Sequence, residues 1–594
     1  MGTGLRCIVA AALGLAFAGG AIAQTQPPGQ TQTQTQAQPQ TQPAQTAPQA
    51  AVPASQPTTV EQVVDRIIAR EHQEVATLRR YSPIVETYIQ DMRYDPQLGE
   101  VPQTDHYYLG VADLSRGVVD RSMLSNDKKG WKSKLNPIKD ISGMLGDSYV
   151  PAGFLQMIFV DPIYFDRQHY RFDYVRREFL GSIRCLVFDV TPLPKSGKGR
   201  FQGRIWVEED GYAIVRFNGV FTPISTTTSW NLHFDSWRMN VAPGLWIPSY
   251  IYSAESDLKD FPLGHVHYRS QTRLWGYNLK LAGHEEEFSS LTIEAAKPIQ
   301  DQADASKDVS PVMAERDWQR EGEDNVLDRL QRNGLLAPPG PVDKLLDQVE
   351  NNLEVPNNLD IEPEVRCRVL LTTTLEAFTV GHTIILTRGL LDVLPDEPSL
   401  AAVLAHQLGR IITGQELPDA YSFNDTTMLT TENTLKRMSF RTSEPEEEAA
   451  AKKALELLKN SIYKNQLGTA GLFLKQVAAE QKELPNLISA NLGNHVFMAD
   501  QLMLAAPQLQ ATKVDQIAAL PLGSRIVLDS WDDSIALAKS KPVQLLSARE
   551  KMPLEVTPFM PYLTRYQDSS NAVAADPAKG SVAKQQPQKQ QQQQ

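Results

Sequence analysis

The chain has 594 residues, of which 41% are hydrophobic and 22% charged, and its formal net charge at neutral pH is -12. This composition is ordinary for a globular protein, and the length allows more than one domain with a sizeable core. The negative charge argues against nucleic-acid binding, because phosphate contacts need a basic face, but it leaves proteins, lipids and small molecules open as partners.

Residues 1–23 have the pattern of a signal peptide. Arg6 supplies a positive charge, an apolar run follows, and Ala21-Ile22-Ala23 is a small-residue cleavage signal. We therefore expect the mature chain to be exported, into a periplasm or into association with an outer membrane. An uncleaved membrane anchor is the alternative. No later stretch is long and apolar enough to predict a transmembrane segment.

Both ends of the mature chain are low in complexity. Residues 24–57 are mostly Gln, Thr, Pro and Ala, and residues 567–594 end in "KQQPQKQQQQQ". Such sequences cannot bury a core, so we predict a disordered linker and a disordered tail. Between them lie Cys185 and Cys367, for which two buried free thiols are favoured over a disulfide.

The folded part begins with a predicted helix followed by a β-rich region. Residues 58–61 fit a capping box, and apolar residues then recur at helical spacing to about Arg80. From 107 to 292 the apolar period becomes two, and Asp210-Gly211 marks a hairpin. The pattern predicts a large, curved antiparallel sheet preceded by a helix.

This order of elements, and the hairpin "GRIWVEEDGYAIVR" in particular, resembles the lipoprotein-carrier (Lol-type) fold. The resemblance covers about residues 107–292. In that family an unclosed barrel shelters acyl chains, so the resemblance implies a lipid or a lipoprotein as a partner.

A mostly helical second region begins near residue 342 and contains the sharpest motif of the chain. "EAFTVGHTIILTRGLLDVLPDEPSLAAVLAHQLGRI" resembles the zincin metallopeptidases that include the CAAX prenyl protease and HtpX-like proteases. In that family a β-hairpin and a T-R-G-L-L segment precede a helix that carries H-E-x-x-H. The resemblance covers about residues 342–480 and implies a zincin-like fold.

The helix that would carry the zinc motif has two changed positions. In H-E-x-x-H the two histidines share a helix face and hold zinc, and the glutamate takes a proton from the bound water. His406 keeps the first ligand position, but Gln407 stands at the general-base position and has no carboxylate. Arg410 stands at the second ligand position, where its guanidinium has no lone pair to donate.

The resemblance places a third ligand, a glutamate, on a later helix that corresponds to "EPEEEAAAKKALELLKNS". One alignment puts Ala449 at the ligand position and Ala451 at a supporting aspartate, whereas a shift of one residue puts Glu448 at the ligand position. The acidic run also suits a solvated first helical turn. His382, on the preceding hairpin, is a candidate substitute ligand, with an exposed turn histidine as the alternative.

These patterns predict an α+β multidomain protein with an N-terminal antiparallel curved sheet and a mainly α-helical zincin-like domain. The predicted segments are a signal peptide at 1–23, a Gln/Pro-rich linker at 24–57, a β-rich carrier-like domain at 58–292, a linker with a helix at 293–341, a metallopeptidase-like domain at 342–510, a small C-terminal region at 511–566 and a Gln-rich tail at 567–594.

The residues support three functional hypotheses. The first is an exported, metallopeptidase-like protein without catalysis or a cofactor, which acts as a binding or scaffolding factor in cell-envelope biogenesis or quality control. The second is an active zinc metalloendopeptidase with a relocated site. The third is a periplasmic carrier of lipid or lipoprotein. Gln407 and Arg410 favour the first hypothesis, which is compatible with the third. The expected partners are envelope proteins, lipoproteins or lipid.

Overall fold

The computed structural model describes residues 57–95, 99–114, 119–122, 154–222, 232–255, 267–277, 311–414 and 438–496, and short stretches between 502 and 566. The predicted signal peptide, linker and tail lie outside these residues. From Pro57 onward the chain is one compact unit.

Helix α1 spans Val60–Leu78, and it begins one residue later than the predicted capping box. Thr59 is the N-cap, and its hydroxyl accepts a hydrogen bond from the backbone N–H of Gln62 at 3.3 Å. The Gln62 side chain in turn accepts from the backbone N–H of Thr58 at 2.8 Å. The side chain that accepts a backbone hydrogen bond at the start of the helix is therefore Gln62, and not Glu61 as the sequence pattern predicted.

The predicted antiparallel sheet is confirmed, and its described part has ten strands in the order β3-β2-β1-β10-β9-β8-β7-β6-β5-β4. The strands β4 to β10 form a meander in chain order, and β1 pairs antiparallel with β10. The β6–β7 hairpin turns at the predicted Asp210-Gly211. The bounds are β1 (Ile84–Asp95), β2 (Gly99–Asp113), β3 (Val119–Ser122), β4 (Tyr170–Leu180), β5 (Ile183–Pro192), β6 (Phe201–Glu208), β7 (Ile214–Phe221), β8 (Leu232–Ala242), β9 (Leu245–Glu255) and β10 (His267–Trp275).

Both faces of the large sheet are buried, because successive side chains point to opposite faces and apolar residues occupy both sets of positions. Ile89, Val207 and Phe217 belong to the core that includes the buried residues of α1. Their chain neighbours Tyr88 and Trp206 belong to the opposite core, which continues into the second region. The chain therefore covers the second face of the sheet with its own later residues.

The second region combines a small sheet with helices. Within the small sheet, β11 (Arg366–Leu370) is parallel to β13 (Thr383–Thr387), and β12 (Ala377–Val380) is antiparallel to β13. No helix in the described parts of the chain is long and apolar enough to cross a bilayer. The remaining elements are α2 (Pro311–Arg332), α3 (Pro341–Glu354), α4 (Arg388–Val393), α5 (Glu397–Ile412), α6 (Glu444–Asn460), α7 (Leu467–Glu480), β14 (Ile526–Asp529) and β15 (Ser534–Leu537).

Buried carboxylates join the large sheet to the second region. Glu86 on β1 accepts hydrogen bonds from the backbone N–H and the hydroxyl of Thr373, both at 2.6 Å. Asp105 on β2 accepts from the backbone N–H groups of Asn486 at 3.1 Å and Leu487 at 2.7 Å. Because a buried charge without partners is costly, these contacts fix the position of the second region on the sheet.

The two cysteines within the described residues, Cys185 and Cys367, are free and buried, as predicted. Cys185 lies on β5 and Cys367 on β11, and both belong to the core that the sheet shares with the second region. Burial raises the pKa of Cys185 to about 12 and raises the pKa of Cys367 well above its usual range. Both thiols are therefore held in the protonated, unreactive form at neutral pH.

We predict that Glu86→Ala destabilises the whole protein by about 3 kcal/mol, because it removes the carboxylate partner of the partly buried Arg273 guanidinium, 3.1 Å away in the native protein, and leaves the Thr373 N–H and the buried Tyr107 hydroxyl without their acceptor. Urea unfolding monitored by tryptophan fluorescence measures the change. Glu448→Ala, at an exposed position, is the control and should change the free energy of unfolding by less than about 0.5 kcal/mol. Two separate unfolding transitions in the Glu86 variant, with the sheet unaffected, would contradict the prediction.

Candidate functional site

Helix α5 carries the degenerate motif, and it lies inside the second region. Asp396 caps the helix by accepting a hydrogen bond from the backbone N–H of Ser399 at 2.9 Å. Every residue from Ser399 to Ile411 is buried. The three motif positions are at most 4% exposed: His406, Gln407 and Arg410.

Small residues bring helix α6 close to α5. A Cβ atom at Gly409 would lie 2.5 Å from the backbone oxygen of Ala450, so this position requires a glycine. Along α6, Glu447 lies three residues before Ala450, and both are buried on the face that packs against α5. The tight contact therefore brings the Glu447 carboxylate beside the motif positions.

The Glu447 carboxylate binds two residues of the motif, His406 and Arg410. Its Oε2 lies 2.9 Å from His406 Nε2. Its Oε1 accepts hydrogen bonds from Arg410 Nε at 2.7 Å and from Arg410 Nη2. The Thr442 hydroxyl accepts from Arg410 Nη2 at 2.9 Å and donates to the same carboxylate. The result is a buried ion pair with charge-assisted hydrogen bonds on both partners.

Gln407 is also engaged with this arginine. Its side-chain oxygen accepts a hydrogen bond from Arg410 Nη1 at 3.1 Å. An amide does not accept a proton near neutral pH, and here the amide oxygen already has a donor. The position where a zinc peptidase needs a base therefore supports the guanidinium.

Electrostatics stabilise the ionised form of Glu447. Burial opposes ionisation, but the hydrogen bond from His406 and the charge of Arg410 outweigh it and lower the pKa of Glu447 to about 2. The carboxylate is therefore charged at any physiological pH, and Arg410 balances that charge.

The residues of this site do not fit a zinc ion. Arg410 is bound to the carboxylate that would have to supply a ligand, and a dication about 4 Å from a guanidinium would be repelled by about 8 kcal/mol at an effective dielectric of about 20. Ligating histidines usually donate their second N–H to an acceptor, whereas His406 Nδ1 is buried without a partner among the described residues. Within the same residues, no group of three or more His, Cys, Asp or Glu side chains is placed to hold a metal.

Two residues that the sequence suggested as ligands lie outside this cluster. Glu448, the next residue after Glu447, points to solvent and pairs with Lys452 at 2.8 Å. His382 pairs through Nδ1 with Glu323 at 3.0 Å, and its backbone N–H donates to the same carboxylate. Each of these two side chains therefore has a partner outside the cluster.

Glu447 is the residue that the sequence reasoning missed. Alignment on the leucine-rich end of the helix gave Ala449 or Glu448, and Ala449 is exposed and has no ligand atom. The signal that could have found Glu447 is helical spacing, since Glu447, Ala450, Ala451, Ala454 and Leu458 share one buried face. Glu448 lies off that face.

No family model matches the sequence, and no curated protein is significantly similar to it. Solved structures give partial likenesses. A LolA superfamily protein from Nitrosomonas europaea is 11% identical, with 39% of this chain and 97% of that chain covered and a TM-score of 0.19. A DUF1329 family protein from Desulfovibrio piger is 11% identical over 39% and 98%, with a TM-score of 0.18.

A third likeness is to a chain in the structure of the Pseudomonas aeruginosa MucA/MucB complex. That chain is 9% identical to this one, with 36% of this chain and 94% of that chain covered and a TM-score of 0.14. The fold is defined by the observed strand pairing, independently of these likenesses.

We predict that Glu447→Gln lowers the free energy of unfolding by about 3 kcal/mol at pH 7. The folded-state pKa of about 2 lies below the unfolded value of 4.5, so the ionised carboxylate contributes stability above about pH 4.5. This contribution is lost as the pH falls towards 2, and the difference between variant and wild type should shrink over that range. Urea titrations at pH 7, 4 and 2.5 measure it, with Glu448→Gln as the exposed control. A difference that does not change with pH would contradict the assignment.

Proposed function

We propose that this chain is an exported binding or scaffolding protein of the cell envelope that has no peptidase activity. The pairing of Glu447 with Arg410 is the observation that carries the proposal. A guanidinium at a zinc-ligand position neutralises the carboxylate and links helices α5 and α6, and it opposes a cation there. The cluster then stabilises the fold of the second region instead of cutting a substrate.

We predict that the wild-type protein is purified without stoichiometric zinc, and that Gln407→Glu combined with Arg410→His creates a zinc site. The two substitutions remove the repelling charge and supply a second imidazole one turn after His406, opposite Glu447. Zinc content by mass spectrometry and competition with a chromophoric chelator measure binding.

Two further variants are matched controls for the zinc experiment. Adding Glu447→Ala to the double variant should abolish the binding, whereas adding Glu448→Ala should leave it unchanged, because Glu448 is exposed. Stoichiometric zinc in the wild type that is lost on His406→Ala, together with cleavage of unfolded casein, would show that the protein is an active peptidase and would overturn the proposal.

A second candidate function is the binding of an acyl chain by the large sheet, as in a carrier of lipid or lipoprotein. Phe221 and Phe234 stack with ring centroids 5.0 Å apart on the sheet face that α1 covers. Phe217 packs edge-on against Phe201 at 5.8 Å and against Phe234 at 5.9 Å. Phe221 is partly exposed, whereas its three aromatic neighbours are fully buried. A cluster of aromatic side chains that is partly exposed at Phe221 favours an apolar ligand.

The two candidate functions are compatible, because the aromatic surface and the Arg410–Glu447 pair lie in different cores. The sheet would hold the ligand, and the second region would support the sheet. Export into a periplasm, which the N-terminal pattern predicts, would bring such a protein into contact with lipids and lipoproteins.

We predict that the mature protein retains palmitate or a phospholipid after incubation with vesicles of phosphatidylethanolamine and phosphatidylglycerol. Phe221→Asp should reduce the retained fraction at least fivefold, because it places a charge in the partly open aromatic surface. Phe179→Asp, at a position on β4 that is 68% exposed, is the matched control. Native mass spectrometry measures retention. Absence of any retained lipid in the wild type would contradict the carrier function.

A further inference from the structure

A short piece of the C-terminal region lies against the large sheet, far from its own position in the sequence. We call residues 554, 556 and 563–566 the C-terminal segment. Leu554, Val556 and Leu563 are between 3% and 5% exposed, and they belong to the core that the sheet shares with the second region. The segment contacts β1 at one end and the turns around β5 and β6 at the other.

At the first end, the sheet recognises the main chain of the segment. Gln90 on β1 is fully buried, and its side-chain nitrogen donates to the carbonyl of Leu554. Its side-chain oxygen accepts from the backbone N–H of Val556 at 2.6 Å. One amide side chain therefore makes a donor and acceptor pair of the kind that a neighbouring strand would make. This pair of hydrogen bonds requires an extended chain with apolar residues two positions apart.

At the second end, the contacts again involve the main chain and one charge. The carbonyl of Leu563 accepts from the backbone N–H of Ser182 at 2.9 Å and from its hydroxyl at 3.2 Å. Arg565 pairs with Glu208 at 2.8 Å and with Asp210 at 2.5 Å. The sheet therefore selects for few side chains of the segment: the apolar residues Leu554, Val556 and Leu563, and Arg565.

The sequence of this region is that of a bound peptide more than that of a strand. "KMPLEVTPFMPYLTRY", residues 551–566, contains Pro553, Pro558 and Pro561. Proline fixes φ and removes a backbone donor, so it disfavours regular pairing in a sheet and favours an extended chain. Proline-containing extended peptides lose little conformational entropy on binding, and apolar grooves commonly bind them for that reason.

We propose that the surface around Gln90 and Ser182 is a binding site for an extended, proline-containing peptide of another protein, and that the C-terminal segment occupies this site in cis. A linked occupant acts at an effective concentration on the order of millimolar, so it fills a site of modest affinity and weakens the apparent binding of a free peptide. Its displacement leaves the Gln90 side-chain oxygen without its main-chain donor and leaves only the Tyr88 hydroxyl as an acceptor for the side-chain nitrogen, so a competitor must restore both main-chain hydrogen bonds. This site lies on the face of the sheet opposite the aromatic surface proposed for acyl chains, and it does not depend on that function.

The test uses the full mature chain and a fluorescein-labelled peptide of residues 551–566 as the probe. Leu554→Asp with Val556→Asp releases the cis occupant, and we expect this variant to bind the probe at least tenfold more tightly than the wild type does. Adding Gln90→Leu should then weaken binding at least tenfold. Val355→Asp with Ile462→Asp, at two exposed apolar positions, is the matched control and should bind as the wild type does. Fluorescence anisotropy measures each affinity.

Circular dichroism and thermal unfolding establish that each variant is folded, and the milder Leu554→Ala with Val556→Ala pair provides the same test if the aspartate pair does not fold. Release without a gain in probe affinity overturns the proposal, as does binding that is unaffected by Gln90→Leu. Uptake of a fluorescent fatty acid by the released variant, without binding of the peptide, would assign the surface to lipid and would also overturn it.

Discussion

A sheet with apolar side chains on both faces must be covered on both sides, and the organisation of this chain depends on that constraint. Trp206 and Trp237 are 2% and 1% exposed on one face, and Ile205 and Phe217 are fully buried on the other. Helix α1 covers the second of these faces, and the later part of the chain covers the first. The second region is therefore required by the sheet as a cover, whatever its own chemistry.

This requirement also governs the polar residues of helix α5. Helix α5 is buried on every side, so each polar group on it needs a partner inside the protein. His406 Nε2 and Arg410 pair with Glu447, and Gln407 accepts from Arg410, whereas His406 Nδ1 has no partner among the described residues. Either charge alone would be strongly destabilising in this position, whereas the pair is tolerated because each charge satisfies the other.

The sequence predicted most elements but not the contacts between them. Period-two patterning indicated the sheet from residue 107 onward and the Asp210-Gly211 hairpin, because both are local signals, but it missed β1 and the first part of β2, which precede residue 107. The acidic residue of the cluster on helix α6 was placed one residue too far along the chain. A step of one residue on a helix turns a side chain by about 100°, which moves it from the core to solvent. Glu447 and Glu448 differ in just this way.

Contacts between distant parts of the chain could not be predicted in this manner. Gln90 and Leu554 are 464 residues apart, and Glu86 and Thr373 are 287 apart. Neither pair has a periodic or a motif signal, because a buried Gln or Glu acquires its partner only when the whole core has formed. Sequence patterns report the face of an element that is buried, and they do not report what covers that face.

The two buried cysteines can report on the opening of this shared core. Cys185 belongs to the sheet and Cys367 to the second region, and each is at most 1% exposed with a raised pKa. A thiol reagent can reach either sulfur only when the core opens. The rates at which the two thiols are labelled would therefore report whether the sheet and its cover separate together or one before the other, without any probe being added to the protein.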